Sequence, residues 1–282
     1  AAVQPDGEVE GVADVDADGH DELLLTSAAL QAVVRVDGHA AMIEFDSYAL
    51  GHNFGDTMRR TTEPYYAQLA EVGQQHHGEG IASAHDRIVM KDVITPADVV
   101  PDARPRAMFL DTVVQVDGTS VPVSGYALQD AAGGPGVQFT DPVHGIVKSY
   151  VIDADRLTVR YQFTNNKPGR FAVELNVAMP SADGYSGRYI LADGSIPCGF
   201  GQSLVLASVA RLSLDDGELH GALHIAIDPP ADLIAGPHHA VSRSEAGFEK
   251  IMQAASMRFE WSGAATERPL TLQMAVMPHV VK

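Results

Sequence analysis

Leu157-Thr158-Val159-Arg160-Tyr161-Gln162-Phe163 alternates apolar and polar residues along its whole length. Residues two apart on an extended chain point to the same face, so this period predicts a strand with one buried and one solvated side. Turn-forming pairs such as Asp37-Gly38, Asp117-Gly118 and Asp216-Gly217 separate it from similar segments. The same alternation recurs in residues 30–36, 41–45, 112–116, 171–177, 204–212, 219–227 and 270–276.

Helical patterns are rare in the chain. Only residues 63–72 and 244–255 have a spacing compatible with a short helix, and nothing alternates strand with helix as a parallel α/β sheet requires. Residues 73–105, rich in Gly and Pro, have the composition of a long excursion across a sheet rather than of a linker. We therefore expect an all-β fold, a large antiparallel β-sandwich with few short helices, as a single domain over residues 1–282.

The chain is strongly acidic, with 19 Lys and Arg against 37 Asp and Glu and a formal charge of -18. This charge repels phosphate backbones and anionic lipid headgroups over about 10 Å, whereas a neutral sugar is not repelled. The single Cys198 excludes an internal disulfide, and no apolar run approaches the roughly 20 residues that span a bilayer. We expect no nucleic acid and no membrane as partners, and a soluble protein for which the cytoplasm is slightly favoured.

An acidic loop over residues 14–22 has the spacing of a calcium site. Three Asp fill positions one, three and five of a D-x-D-x-D-G pattern, and positions seven and nine offer a backbone carbonyl and a carboxylate. Position twelve, a carboxylate in an EF-hand, is Leu25, so we expect a structural Ca²⁺ rather than a helix-flanked switch. The alternative is an acidic turn that binds no ion. The candidate ligands are Asp14, Asp16, Asp18, His20 and Glu22.

Several segments, read in order, resemble the C-terminal β-sandwich of the glycoside hydrolase family 57 enzymes, the α-amylases and 4-α-glucanotransferases. The resemblance implies a supersandwich of the galactose-mutarotase type. Each segment is weak alone, but their order over about 200 residues makes coincidence improbable. The segments are residues 53–60 (Asn-Phe-Gly-Asp-Thr-Met-Arg-Arg) with Glu63 and Tyr65, 81–86 ending in Ala-His-Asp, 105–111, 171–176 and 242–250.

In that family the catalytic Glu, the acid Asp and a His-Gln-Pro motif lie on a barrel that precedes the sandwich. His-Gln-Pro does not occur in this chain, and the residues before Asp14 are too few for a barrel. The resemblance therefore implies an accessory half without catalytic residues of its own. Its expected partners are an α-glucan or other carbohydrate and a catalytic barrel, fused or separate.

Candidate substrate-binding residues lie within or beside the resembling segments. Glu174 and Asn176 are two apart on a predicted strand, so they share a face and could line a concave cleft for sugar hydroxyls. The alternative is that Glu174 pairs with an arginine such as Arg106 in a structural role. Tyr65 and Tyr66 could present ring faces to pyranose units, although the aromatic content of 6% is low for a dedicated carbohydrate-binding module.

His85 and Asp86 complete the set of candidate substrate-binding residues. Adjacent residues on a strand face opposite ways, so an orienting His-Asp pair would need a loop at this point. We expect His85, Asp86, Arg106 and Asp111 to form one polar network between the sheets and the excursion, and a structural network is favoured over an acid-base site.

Three functions follow from these observations. The leading hypothesis is an accessory, non-catalytic β-sandwich that supports carbohydrate binding and the catalytic half of a glucan-processing enzyme. A rival is a free-standing, mutarotase-like sugar-active enzyme that uses His85 or His144 with Glu174. A third possibility is a calcium-dependent interaction module.

Overall fold

The computed structural model describes residues 9–72, 90–129, 136–164, 168–181, 185–244 and 247–280. Its regular elements are the strands β1 Val9–Ala13, β2 Glu22–Thr26, β3 Leu30–Arg35, β4 Met42–Ser47, β5 His52–Asn53, β6 Met108–Val114, β7 Ser120–Pro122, β8 Ala127–Gln129, β9 Val137–Asp141, β10 Ile146–Asp153, β11 Arg156–Phe163, β12 Arg170–Val177, β13 Gly187–Leu191, β14 Leu204–Asp216, β15 Gly221–Ser244, β16 Gly247–Ser262 and β17 Leu270–Pro278, the helix α1 Tyr66–Val72, and 3₁₀ turns at Pro96–Val99 and Ala265–Glu267.

These strands pair antiparallel and form two layers. The front sheet has the order β1-β2-β3-β4-β6-β12-β16-β15-β14. The back sheet has the order β8-β9-β10-β11-β17-β15-β14-β13. The long strand β15 belongs to both, since it pairs with β17 as far as Asp228 and with β16 from Asp232 onward. Pro229, which follows a cis peptide bond, and Pro230 lie at this crossing.

The hydrophobic core fills the space between the two sheets. In β11, Leu157, Val159 and Tyr161 are fully buried, as the alternation predicts. The two layers touch where Tyr150 of the back sheet packs edge-on against Phe109 of the front sheet, with ring centroids 5.7 Å apart. The expectation of a large antiparallel β-sandwich with few helices is confirmed.

The two helix predictions have different outcomes. The helix predicted over residues 63–72 is confirmed in part by α1, which begins at Tyr66. The second is wrong, because residues 247–255 belong to the strand β16. The register between β15 and β16 shifts at His238 and His239, where Gln253 is left without a paired residue. Such a bulge interrupts the two-residue alternation, and the resulting apolar spacing resembles that of a helix.

The described residues between β5 and β6 contact the front sheet at two places. Residues 73–89 lie outside the described ranges, but both flanks contact the sheet. Phe54 O accepts a hydrogen bond of 2.9 Å from Ala178 N, next to β12. On the other flank, Lys91 N donates to Phe248 O at 2.9 Å. Within the described ranges, no helix is long and apolar enough to cross a bilayer.

Candidate functional site

The outer face of the front sheet carries Glu174 and Asn176, as the alternation of β12 predicts. Their neighbours Val173, Leu175 and Val177 are fully buried and face the core. Glu174 is the second residue in a row of paired residues that crosses five strands. From β6 to β14 this row is Leu110, Glu174, Arg258, Ile234 and Val205.

Glu174 is held by two arginines and an amide. Arg104 Nη2 donates to its Oε2 at 3.0 Å, and Arg106 Nη1 and Asn176 Nδ2 donate to its Oε1 at 3.2 and 2.9 Å. Burial alone would raise the pKa of Glu174, but these donors outweigh it and lower the pKa below its ordinary value. Glu174 is therefore a fixed, ionised acceptor, and the pairing with Arg106 that the structural alternative requires is present.

A second carboxylate, Asp102, extends this cluster. It accepts hydrogen bonds from Arg60 N at 2.7 Å, Arg60 Nη2 at 2.9 Å and Arg106 Nη2 at 2.5 Å. Burial raises the pKa of Asp102, but the hydrogen bonds from Arg106 and Arg60 lower it by more. Because Arg106 contacts both carboxylates, Asp102 and Glu174 belong to one network, which we call the arginine cluster (Arg60, Asp102, Arg104, Arg106, Glu174 and Asn176).

His238 borders the arginine cluster from β15. Its Nε2 lies 3.2 Å from Asp102 Oδ2, in a geometry that forms no hydrogen bond. Burial, and after it the charge of Arg106, lowers the pKa of His238 to about 4, although Asp102 acts in the opposite direction. The imidazole is therefore neutral at physiological pH.

Several buried polar atoms of the arginine cluster have no hydrogen-bond partner among the residues that the structure describes. A buried polar group is normally satisfied, so such atoms mark positions for ordered water or for the polar groups of a ligand. Both donors and an acceptor are among them. They are Arg60 Nε, Arg104 Nη1, Arg106 Nε and Asn176 Oδ1.

Tyr65 and Tyr66 lie at the start of α1 and hold the end of the β15–β16 hairpin. Both hydroxyls donate to Val241 O, at 2.9 and 3.3 Å. The Tyr65 ring contacts Tyr66 edge-on at 5.0 Å and lies 6.1 Å from the ring of Phe248. Both side chains are half-buried, so each has part of its ring surface accessible beside the hairpin.

The prediction that Asp111 joins Arg106 in one network is wrong. Asp111 is fully buried and faces the core, where Lys148 Nζ of β10 donates to its Oδ2 at 2.9 Å. The neighbouring Leu110 faces the opposite way and packs with Ala107 on the outer side of β6. Successive strand residues thus place Asp111 and the arginine cluster on opposite faces of the front sheet. His85 and Asp86, the other expected members, lie outside the described residues.

His144, the other histidine of the mutarotase-like alternative, lies in the turn between β9 and β10. Its Nδ1 is 2.6 Å from Asp141 Oδ2, which places it at the end of the back sheet. Glu174 points away from the core on the front sheet, and the two residues share no contact. The structure therefore does not bring His144 and Glu174 together.

The acidic loop brings three of its five candidate ligands together. Carboxylate oxygens of Asp14, Asp16 and Asp18 lie within 4.8 Å of one another and are exposed. Two oxygens on one calcium ion are at most about 5 Å apart, so this spacing fits a single ion. Gly19 adopts a φ of +88°, the left-handed turn that its place in the pattern requires.

The other features of the loop differ from the expectation. Glu22 is fully buried, and its Oε2 accepts a hydrogen bond from Val15 N at 2.9 Å under the loop. Asp18 also pairs with Arg35, which approaches Glu22 and Asp37 as well. Among the described residues, the acids that could share one ion are the three aspartates alone. His20, which is expected to offer its backbone carbonyl to the ion, donates its backbone N–H to Asp18 Oδ1 at 2.9 Å, a contact that does not test the role of the carbonyl.

Sequence reasoning missed Asp102, Arg104 and His238. Arg104 could have been found, because it lies two residues before Arg106 and an extended segment directs both guanidinium groups to one side. Asp102 gives no such signal, since its partner Arg60 is 42 positions away in the sequence.

Comparisons with known proteins place most of the chain in the family that the sequence resembles. Residues 14–274 match the family model described as alpha-amylase/4-alpha-glucanotransferase, C-terminal. A 4-alpha-glucanotransferase from Thermococcus kodakarensis is 24% identical over 255 residues, which are 87% of this chain and 37% of that protein. Alpha-amylase 1 from Dictyoglomus thermophilum is 22% identical over 269 residues, 86% of this chain and 38% of that protein. The chain thus spans less than two fifths of the length of these relatives.

Solved structures show the same fold. The 4-alpha-glucanotransferase from Thermococcus litoralis superposes with a TM-score of 0.63 at 16% identity, over 97% of this chain and 39% of that one. A putative mutarotase from Salmonella typhimurium superposes with a TM-score of 0.55 at 10% identity, over 98% of this chain and 96% of that one. The fold is therefore galactose-mutarotase-like, as the resemblance implies, and the chain belongs to the family of alpha-amylase/4-alpha-glucanotransferase C-terminal domains.

Proposed function

We propose that this chain is the accessory, non-catalytic half of an α-glucan-processing amylase or 4-α-glucanotransferase, and that it acts with a catalytic barrel, fused or separate. The family assignment supports this, because the matched relatives are much longer than this chain. The observation that carries the proposal is the state of the two carboxylates in the arginine cluster.

Glycoside hydrolysis uses two carboxyl groups, one of which is held protonated so that it can donate to the leaving oxygen. Hydrogen bonds from Arg106 and Arg60 lower the pKa of Asp102, and the hydrogen bond from Asn176 together with the charges of Arg104 and Arg106 lowers the pKa of Glu174. Neither acid therefore carries a proton at neutral pH. Arginine pairing also occupies the oxygens that would approach a glycosidic bond. This arrangement suits a rigid polar platform better than an acid-base pair.

The arginine cluster offers hydrogen-bond donors and an acceptor to a bound sugar. Arg104, Arg106 and Asn176 have donors and an acceptor without partners in the described part of the chain, and ordered water can link these atoms to sugar hydroxyls. The half-buried rings of Tyr65 and Tyr66 lie on the same segment that supplies Arg60. We infer that the arginine cluster supports binding of an α-glucan chain on the outer face of the front sheet.

Arg104→Ala is expected to weaken maltoheptaose binding about tenfold, which corresponds to about 1.4 kcal/mol, because the platform loses one donor and Glu174 loses a fixed partner. Calorimetric titration of the purified chain measures this change. The matched control is Arg170→Ala, since Arg170 lies on the same face of β12 but its side chain is 65% exposed and, among the described residues, it is ion-paired with Glu260 and not with Glu174. Equal affinities for both variants would contradict the binding site.

The same titration samples test for catalysis. We expect no reducing ends to appear when the chain is incubated with maltoheptaose and no acceleration of glucose anomer interconversion followed by polarimetry. Release of reducing ends would refute the accessory role, and a polarimetric rate above that of buffer would favour the mutarotase-like alternative.

We also propose that Asp14, Asp16 and Asp18 hold a structural calcium ion. Their spacing and the turn at Gly19 support one hard cation with oxygen ligands. Glu22 lies beneath the loop as a buried carboxylate whose Oε1 accepts no hydrogen bond among the described residues, although Arg35 Nε lies 3.8 Å from it. The ion would fix the connection between β1 and β2 at the edge of the front sheet.

Replacing both Asp14 and Asp16 with Asn is expected to abolish the heat of calcium binding, because neutral amides are weaker ligands for a hard divalent ion. In the unmodified chain, calcium at 100 times its dissociation constant should raise the free energy of unfolding by about 2.7 kcal/mol. Asp117→Asn is the control, since Asp117 also accepts a turn N–H, at 2.9 Å from Thr119. No heat from the unmodified chain at millimolar calcium would exclude the site.

A further inference from the structure

A second polar surface lies on the outer face of the back sheet. Arg211 of β14, Ala226 of β15 and Gln273 of β17 are paired in register and form one row across three strands. The next row pairs Asp228 with Thr271. Because Ala226 is short and its neighbours in the row are long, the middle strand forms the floor of a notch between them.

This notch is a cavity of about 400 Å³, lined by the five side chains of the two rows together with Ala210 and Ile227. A volume of this size lies within the range of small-molecule sites, about 300 to 1,000 Å³. Strands are about 5 Å apart, so the row from Arg211 to Gln273 spans about 10 Å. The length and the volume suit one or two pyranose rings.

The polar groups of the notch are available to a ligand. Among the described residues, none forms a side-chain hydrogen bond or ion pair with Arg211, Thr271 or Gln273. Asp228 is the exception, since Arg268 Nη2 lies 3.3 Å from its Oδ1, but its side chain is 75% exposed. The notch therefore presents donors and acceptors that the fold itself does not use.

The chemistry of the lining favours a neutral, hydroxyl-rich ligand. Arg211 only donates, Asp228 only accepts, and Thr271 and Gln273 do both, which matches sugar hydroxyls that donate and accept at once. The lining contains one guanidinium and one carboxylate, and the chain as a whole carries -18, so an anion gains little here. Ala226 offers an apolar floor for the C–H face of a sugar ring.

We propose that this notch is a second carbohydrate site, which binds one or two pyranose units of a neutral oligosaccharide. It is independent of the arginine cluster, because the two lie on the outer faces of different sheets. A domain with two such faces could hold two glucan segments, or two parts of one long chain, on its opposite sides. The notch binds the sugar and breaks no bond in it.

The proposed site is tested by a substitution that fills the notch. Ala226→Gln places a longer side chain on its floor, and Ala127→Gln in β8 is the matched control at an exposed alanine of the same sheet. Both changes are made in a chain that carries Arg104→Ala, so that binding at the arginine cluster is already weakened. Maltotriose and cellotriose are the probes, titrated by calorimetry. Hydrogen–deuterium exchange with each sugar locates the protected strands.

We expect Ala226→Gln to reduce the affinity for at least one probe fivefold or more, while Ala127→Gln leaves it unchanged, with sugar-dependent protection in β15 and β17. Gln273→Ala, which removes a polar group without filling space, should weaken binding in the same direction if Ala226→Gln folds poorly. Identical titrations for the Ala226 and Ala127 variants, or no binding of either sugar to the Arg104→Ala chain, would show that the notch is not a carbohydrate site. Neither result bears on binding at the arginine cluster, which is tested by Arg104→Ala against Arg170→Ala.

Discussion

Asp111→Ala is expected to lower the free energy of unfolding by about 3–5 kcal/mol, the usual cost of removing one partner from a buried ion pair. Lys148 would remain fully buried, and its ammonium group would retain only Phe109 O as a hydrogen-bond acceptor, at 2.7 Å. Urea denaturation followed by tryptophan fluorescence measures the change, because Trp261 is buried in the same core. A decrease in the free energy of unfolding of less than about 1 kcal/mol would contradict this prediction.

The surroundings of this pair explain the size of the effect. Tyr126 and Tyr161 donate their hydroxyl groups to the two oxygens of Asp111, each at 2.9 Å. Lys148 Nζ lies between 5.2 and 5.5 Å from the ring centroids of Tyr126, Tyr150 and Tyr161, within the distance of a cation–π contact. Loss of the carboxylate therefore removes the acceptor that the two hydroxyls and the ammonium share, and the ammonium keeps Phe109 O alone among its described acceptors.

A double replacement separates the charge effect from packing. Asp111→Leu combined with Lys148→Met removes both charges, so we expect it to recover most of the stability that either single change loses. Tyr126 and Tyr161 would still lack an acceptor, which limits the recovery. If the double variant is as unstable as the sum of the single variants, the loss comes from packing and not from an unpaired buried charge.

Much of the fold follows from local sequence patterns. Two-residue alternation places Glu174 and Asn176 on one face of β12 and Val173 on the other, because a strand offers no different arrangement. The alternation predicts less about a strand when both of its faces are covered. In β6 every residue from Met108 to Val113 is buried, since the core lies on one side and residues before β6 lie on the other.

The arginine cluster and the core ion pair depend on contacts between distant segments. Phe109 is bulged in the pairing with β12 and adopts a φ of +61°, unusual for a bulky residue, and its carbonyl accepts from Lys148. No local pattern predicts that geometry. Asp102 likewise meets Arg60 across 42 positions of sequence, so its role appears only after the excursion has folded onto the sheet.

Asp102→Ala is expected to lower the free energy of unfolding by about 2–4 kcal/mol, because hydrogen bonds to a charged group contribute about 1.5–3 kcal/mol each. The carboxylate is 4% exposed and joins Arg60 to Arg106, so its removal detaches the excursion from the segment that leads into β6. Asp228→Ala is the matched control. Its pair with Arg268 is exposed at both ends, and we expect a change below about 0.5 kcal/mol.

The effect of Asp102→Ala depends on pH in a defined direction. The pKa of Asp102 is lower in the folded chain than its ordinary value of 3.8, so the unfolded chain takes up the proton first as the pH falls. The stability that this carboxylate supplies is therefore complete at pH 6 and is lost as the pH falls below about 4. Denaturation curves of the variant and the unmodified chain should converge toward pH 2. A difference that stays constant from pH 6 to pH 2 would mean that Asp102 stabilises the fold by packing and not by its charge.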